Sequence, residues 1–314
     1  MREYEYNAPD SFEHLFKLTG GAGAEVRFLA GGTDLMPRIS AERDQIPYDK
    51  KTPMRIIYLG ALGLDKVTDG DGVTIGALCT LSSLLGNEIV RSKLPALAEA
   101  IAEMAGLSIR NTATIGGNIM NASPAADSVP SLLVLGAEAV LRSPSGDRKV
   151  ALSEFFAGPG KTAAKPDEVL VAVNVKPGAG GAAFKKIGRR KAETLSVVSA
   201  AAYVEVKDGA VAVARIAVGS AAPTVVRCLE AEKALIGKKI SDDAIKEASA
   251  LVSKSISPID DIRSTAWYRA KVAPTLVARA LAAAAERKGP AKSDEPVKSE
   301  AAGFLGRVFG KKGA

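Results

Sequence analysis

A chain of 314 residues, 47% hydrophobic and 25% charged, is long enough for two or three domains that each bury a core, and its composition is that of a folded globular protein. With one histidine, His14, and two distant cysteines, Cys79 and Cys228, it excludes histidine-rich metal sites, histidine-based triads and a four-cysteine iron–sulfur cluster. The net charge of +7 is spread along the chain, and aromatic residues, only 5%, do not interleave with the basic ones, which excludes a nucleic-acid surface; a docking face for acidic partner subunits suits the charge as well.

The opening MREYEYNAPD has no apolar core of a secretory signal, and no apolar run approaches the roughly 18–20 residues of a transmembrane segment. A soluble, cytoplasmic protein is expected. Asp10 or Ser11 caps a helix through Leu18, on which His14 faces solvent. Val26–Ala30 is a short buried strand that ends at Gly31-Gly32, and Arg55–Leu59 is a second apolar run. Gly72–Ala77 reads as a strand, followed by a helix capped at Thr80. Leu94–Ala105 has helical spacing and stops at Gly106. Ile109–Asn121 reads as a glycine-bearing loop, followed by a helix and a strand through Leu132–Leu141. Ser145-Gly146 marks a hairpin, and Val169–Val175 is a strand closed by Pro177-Gly178. The stretch from Pro177 to Gly181 is the best boundary between domains.

Beyond it the pattern changes. Ser199–Val206 and Ala210–Val218 are strands joined by Lys207-Asp208-Gly209, a hairpin signal. Helices follow at Cys228–Ile236, from Ser241 to Ser253, and from about Ser264 to Arg287. Strands followed by helices predict an α+β domain, with helices on one face of a small antiparallel sheet. From residue 288 the chain is polar and proline-containing, as a flexible tail would be. It closes on GFLGRVFGKKGA, whose Phe304, Leu305, Val308 and Phe309 have roughly helical spacing.

Two glycine pairs carry the chemistry. One is Leu29-Ala30-Gly31-Gly32-Thr33-Asp34-Leu35, at the end of a strand. The other is Thr114-Ile115-Gly116-Gly117-Asn118, followed by a segment ending in Asp127. Glycine lets main-chain amides approach an anion closely, so each bend is a candidate phosphate nest, and a pyrophosphate gains from one on each side. Neither matches G-x-G-x-x-G or G-x-x-x-x-G-K-[ST], so a Rossmann or P-loop site is not supported. A plain turn is the competing reading of either pair.

AGGTDL, RNTATIGGNIMNASPAAD, FKKIGRRKAETLSVVSAA and DDIRSTAWYR, in that order, resemble the FAD-binding medium subunit of the xanthine dehydrogenase and carbon monoxide dehydrogenase family. The resemblance runs from about residue 1 to residue 287. It implies a two-subdomain FAD-binding domain over 1–178, of the PCMH or vanillyl-alcohol-oxidase type, with subdomains of about 1–60 and 61–178. A C-terminal domain like that of the carbon monoxide dehydrogenase flavoprotein follows over 182–287. The two glycine segments, Leu29 to Leu35 and Thr114 to Asn118, would wrap the FAD pyrophosphate, and Asp127 would contact the cofactor beyond them. Leu170 and Lys185 would line the flavin region; without the resemblance they read as a core strand residue and a solvated charge. Met104 stands where some relatives carry an aromatic residue near the flavin.

The same resemblance places the molybdenum cofactor and the [2Fe–2S] centres on partners, a molybdopterin-binding large subunit and an iron–sulfur small subunit, in a dimer of heterotrimers. One branch of the family inserts a cysteine-rich [4Fe–4S] segment; between Asn118 and Leu132 this chain has neither insertion nor cysteine, so that cluster is expected to be absent. The implied role is electron transfer, from iron–sulfur centres to an external acceptor. Two other readings stay open: a self-contained FAD oxidoreductase of the same flavin fold, and a flavin-free assembly subunit.

Overall fold

The computed structural model describes residues 4–19, 25–43, 54–287 and 289. The tail from 290 onward, with its four apolar residues and Lys311 and Lys312, lies outside them. The first unit is a parallel sheet of three strands, β1 (Tyr4–Asn7), β2 (Glu25–Leu29) and β3 (Met54–Tyr58), in the order β1-β3-β2. Helix α1 (Phe12–Thr19) begins at Ser11, whose hydroxyl accepts from the His14 amide; His14 itself is exposed. Five residues separate the end of β2 from helix α2 (Leu35–Arg43), and Pro37 sits in the first turn of that helix, where a missing amide costs nothing.

The second unit is antiparallel. Strands β4 (Val67–Gly70) and β5 (Gly72–Gly76) form a hairpin, followed by α3 (Leu81–Gly86), capped by the Thr80 hydroxyl on the Ser83 amide. Helices α4 (Glu88–Lys93), α5 (Pro95–Glu103), α6 (Leu107–Arg110), α7 (Ile115–Met120) and α8 (Ser128–Val134) come next. Strands β6 (Glu138–Ser143) and β7 (Gly146–Ala151) pair across the Ser145-Gly146 turn, where Gly146 has a φ of 119°. After the short pair β8 (Phe156–Gly158) and β9 (Lys161–Thr162), β10 (Val169–Val175) inserts between β5 and β6, completing the order β4-β5-β10-β6-β7.

The third unit is a four-stranded antiparallel sheet of β11 (Gly181–Gly188), β12 (Ser196–Lys207), β13 (Ala210–Gly219) and β14 (Val226–Arg227). Asp208 and Gly209 at the β12–β13 turn both take positive φ, 53° and 80°, as a tight two-residue hairpin requires. Helices α9 (Leu229–Leu235), α10 (Asp242–Ala250) and α11 (Ala266–Ala285) follow. The sheet is covered on both faces. Phe184, Ala201, Tyr203 and Ala217 join the core built on α5 and α8, whereas Ala183, Ala200, Ala202 and Ile216 join the core of α9, α10 and α11. That explains why Ser196–Val204 is buried at every position rather than alternating.

Cys79 and Cys228 are free thiols buried in these cores, and burial pushes them up to about 11 and about 12. Thiolate is the reactive form, so neither will react with an aromatic disulfide reagent at pH 8 in the folded chain. Both should titrate after denaturation. Stoichiometric labelling of the native protein would contradict that burial.

Candidate functional site

A cleft of about 330 Å³ opens where the β2–α2 segment faces the start of α7 and the start of β10. Ala30, Gly31, Gly32, Thr33, Asp34 and Leu35 form one wall. Thr114, Gly116, Gly117 and Asn118 form the opposite wall, and Leu170 lies on the floor. Eleven of the sixteen residues singled out in the sequence therefore meet in one place, from segments about 80 and 140 residues apart.

The two glycine segments do different work. Gly32 turns the chain with a φ of +71°. The main-chain amides of Gly31, Gly32, Thr33, Asp34 and Leu35 have no acceptor among the described residues, while the Met36 amide donates to the Gly32 carbonyl at 2.9 Å. Five successive unused donors, at the positive end of α2, make an anion cradle. The second segment is not the open bend expected from its sequence. Gly116 and Gly117 lie in the first turn of α7, whose cap is the Thr114 hydroxyl accepting from the Gly117 amide at 3.0 Å. The Ile115 and Gly116 amides donate to the Cys79 and Ala77 carbonyls, and the Asn118 amide to the Thr114 carbonyl. These amides are used up in fixing α7 against the end of β5, so this segment contributes shape and side chains rather than bare donors.

Glycine is needed here for close approach. A Cβ on Gly31 would stand 1.9 Å from the Thr112 carbonyl oxygen, and one on Gly116 would stand 2.6 Å from that of Ala77. Gly31 therefore lets the two walls touch, and Gly116 seats α7.

The remaining five residues lie elsewhere. Leu29 packs with Ile39, Met54 and Ile56 beneath the first sheet, and Ile115 is fully buried in the central core. Met104, just after α5, is 6% exposed in that same core. Asp127 is buried and accepts from Lys186 Nζ at 2.7 Å and from the Ser196 hydroxyl at 2.5 Å. Lys185 does not reach it. In β11, Lys185 shares a face with Ala183 and Ile187, toward the C-terminal helices, whereas Lys186 shares the face of Phe184. Lys186 also donates to the Glu103 and Thr194 carbonyls, which saturates its three N–H groups.

Arg38, Lys186 and Ser196 were not singled out in the sequence. Arg38 lines the cleft from α2, one turn past the bare amides, and donates to Asn121 Oδ1 on the far wall at 2.6 Å. Its signal was a cation one turn beyond a glycine bend. Glu168 also lines the cleft, but its carboxylate is held by Arg148 through Nε at 2.5 Å and Nη2 at 2.7 Å and by the Lys165 amide, which draws it below the ordinary range. A diphosphate fits this arrangement: main-chain donors and the Arg38 guanidinium face the cleft, Arg27 is paired with Glu25 and Glu168 with Arg148, and the Asp34 carboxylate is exposed to solvent. Among the described residues no group of three or more His, Cys, Asp or Glu side chains is placed to hold a metal ion, and no helix is long and apolar enough to cross a membrane.

Residues 2–176 match the model of the FAD binding domain in molybdopterin dehydrogenase, and residues 182–284 that of the CO dehydrogenase flavoprotein C-terminal domain. The chain is 34% identical over 281 residues to the glyceraldehyde dehydrogenase medium chain of Sulfolobus acidocaldarius, covering 89% of this chain and 97% of that one. It is 31% identical over 287 residues to the carbon monoxide dehydrogenase medium chain of Hydrogenophaga pseudoflava, covering 90% and 96%. A solved structure of carbon monoxide dehydrogenase from Hydrogenophaga pseudoflava superposes with a TM-score of 0.82 at 32% identity, over 90% of this chain and 97% of that one.

Proposed function

The chain belongs to the family of FAD-binding medium subunits of molybdenum hydroxylases, oxidoreductase subunits of the carbon monoxide and xanthine dehydrogenase type, and from that premise we propose that it is the electron-transfer subunit of such a complex. Electrons arrive from iron–sulfur centres on a small subunit, which draws them from a molybdopterin-binding large subunit, and they leave to an external acceptor. The assembly is a cytoplasmic dimer of heterotrimers. FAD supplies the means to take electrons singly and release them in pairs. The FAD-binding domain is read as residues 1–178 and the C-terminal domain as 182–287, a division supported by the two family matches.

The observation that carries the reading is the run of five amides from Gly31 to Leu35 with no acceptor among the described residues, followed one turn later by Arg38. The amides hold the pyrophosphate of FAD, and Thr114, Asn118 and Leu170 close the cleft around it. Asp127, fixed by Lys186 and Ser196, holds the cofactor beyond the cleft, and Met104 stands in that flavin-proximal region; Lys185 borders it through its main chain, with its side chain on the opposite face of β11. None of these residues is asked to move a proton in a chemical step. The purified chain should carry one FAD per polypeptide, seen as a band near 450 nm, and no iron of its own. A chain that stays colourless after incubation with excess FAD overturns the proposal.

Arg38 gives a sharper test. Among the described residues its guanidinium is the one cation on the cleft without a carboxylate partner, Arg27 being paired with Glu25, so Arg38→Gln should weaken FAD binding by about tenfold, the scale of one charge-assisted hydrogen bond. Riboflavin, which lacks phosphate, should bind the variant and the parent equally. Fluorescence titration of both ligands measures this, and equal loss for both would place Arg38 outside the phosphate site.

A further inference from the structure

Five exposed large apolar side chains, Leu107, Leu195, Ile259, Ile262 and Trp267, fall on segments that are tied to one another. A hook just before α11 displays Ile259, Ile262 and Trp267, with Ile262 93% exposed and Trp267 67% exposed. Arg189 Nη1 donates to the Ile262 carbonyl at 3.0 Å, which ties the hook to the β11–β12 loop, where Leu195 is exposed. That loop in turn abuts α6: the Glu193 carboxylate fills the space where a Cβ on Gly106 would stand, and Leu107 next to it is exposed. Isolated exposed leucines need no explanation, but a tethered series across three segments does.

The hook is rigid rather than loose. Asp261 accepts from the Arg263 and Ser264 amides and from Arg269, Asp260 accepts from the Ala266 amide, and the Ser257 amide donates to the Ala221 carbonyl. Lys271 sits 4.9 Å over the Trp267 ring and holds it on the surface. A preformed loop that presents an isoleucine and a tryptophan to water loses little freedom when a partner covers them. Arg189, Arg190 and Lys191 lie on the β11–β12 loop tied to the hook, Lys271 lies over Trp267, and none has a carboxylate partner among the described residues. The covering surface must therefore be apolar at its centre and acidic at its rim.

We propose that this face, centred on Ile262 and Trp267, docks the subunit that delivers electrons to this chain, through an acidic-rimmed apolar surface. The inference rests on the electron-transfer reading above. It also follows from position: the β11–β12 loop shares a concavity with Glu103 and Lys186, beside Met104 and Asp127, so a partner seated here lies against the flavin-proximal region.

The full chain, tagged and expressed in its native host, tests this through the metal content of what copurifies. The wild type should bring iron and molybdenum in fixed ratio to its flavin. Ile262→Glu, placed on a side chain already in water, should keep its flavin band while iron per flavin falls at least tenfold; Trp267→Ala should lower it severalfold. Ile236→Glu, an exposed position near the opposite end of the β12–β13 hairpin, should match the wild type. Wild-type iron in Ile262→Glu overturns the docking face alone. So does an Ile262-dependent dimer of the isolated chain, since the occupant is then a second copy. A wild-type preparation with flavin but no iron overturns the electron-transfer reading and this proposal with it.

Discussion

Gly31→Ala will yield a folded chain that does not retain FAD. The added methyl would sit 1.9 Å from the Thr112 carbonyl oxygen and 2.6 Å from its carbon, and both atoms are main chain. Neither can rotate away, so the β2–α2 segment must back off from the opposite wall, carrying its five bare amides out of register with the phosphates. Misplacing charge-assisted hydrogen bonds by an ångström or more forfeits most of their energy; losing two of them, at roughly 1.5–3 kcal/mol each, lowers affinity by two orders of magnitude or more. Gly86→Ala is the matched control: it lies at the exposed end of α3, away from the cleft, and its methyl would meet nothing within 4 Å. Gly116→Ala falls between, because the Ala77 carbonyl lies 2.6 Å away and the seat of α7 suffers along with the cleft. The ratio of absorbance at 450 nm to that at 280 nm after desalting should fall more than tenfold for Gly31→Ala and stay near wild type for Gly86→Ala. Equal flavin in the two would mean that close approach is not what glycine supplies at position 31.

How much of this was legible in the sequence depends on how local each cause is. The Thr80 cap, the Ser145-Gly146 turn and the Asp208-Gly209 turn are decided within a few residues, and the sequence places all three where the structure does. The first glycine segment was equally readable, because it follows an apolar strand and precedes a helix. The second was misread as a bend. What makes it a helix start is that the Cys79 and Ala77 carbonyls take its amides, a contact between residues more than 35 positions apart. Lys186 was hidden for a related reason. Which of two adjacent lysines faces Asp127 depends on strand parity, and β11 acquires its parity from its register with β12, in which Lys186 lies opposite Ser199. Nor does any local pattern announce that Arg38 reaches Asn121, 83 residues away. The resemblance supplied the residues proposed for the flavin neighbourhood; side-chain direction needed coordinates.

The other large effect will come from Arg269, far from the cleft. The motif DDIRSTAWYR ends at this arginine, which is 1% exposed in the second turn of α11. Its Nη1 donates to the Val197 carbonyl at 2.8 Å and the Ser220 carbonyl at 2.7 Å, and its Nη2 to Asp261 at 2.6 Å. One side chain thus joins α11, the start of β12, the corner after β13 and the hook. Ser220 sits at that corner with a φ of 60°, a conformation that a serine adopts only when its surroundings impose it, and its amide reaches across to the Pro124 carbonyl in the preceding domain. Arg263, through its guanidinium and its amide, holds the Asp261 carboxyl far below the ordinary carboxylate range, and Arg269 donates to the same carboxylate. Arg269→Met would match the volume but strip two buried carbonyls of their donor and leave Asp261 with one cation. Breaking a buried charge pair from one side costs about 3–5 kcal/mol, so the melting temperature should drop on the order of 10 °C. Arg269→Lys should recover only a minor part, because an ammonium keeps the charge without the planar fork that serves three acceptors at once. Differential scanning calorimetry of the two variants decides the matter: a loss under about 1 kcal/mol for Arg269→Met would show that the corner and the hook are held by packing, with the guanidinium incidental.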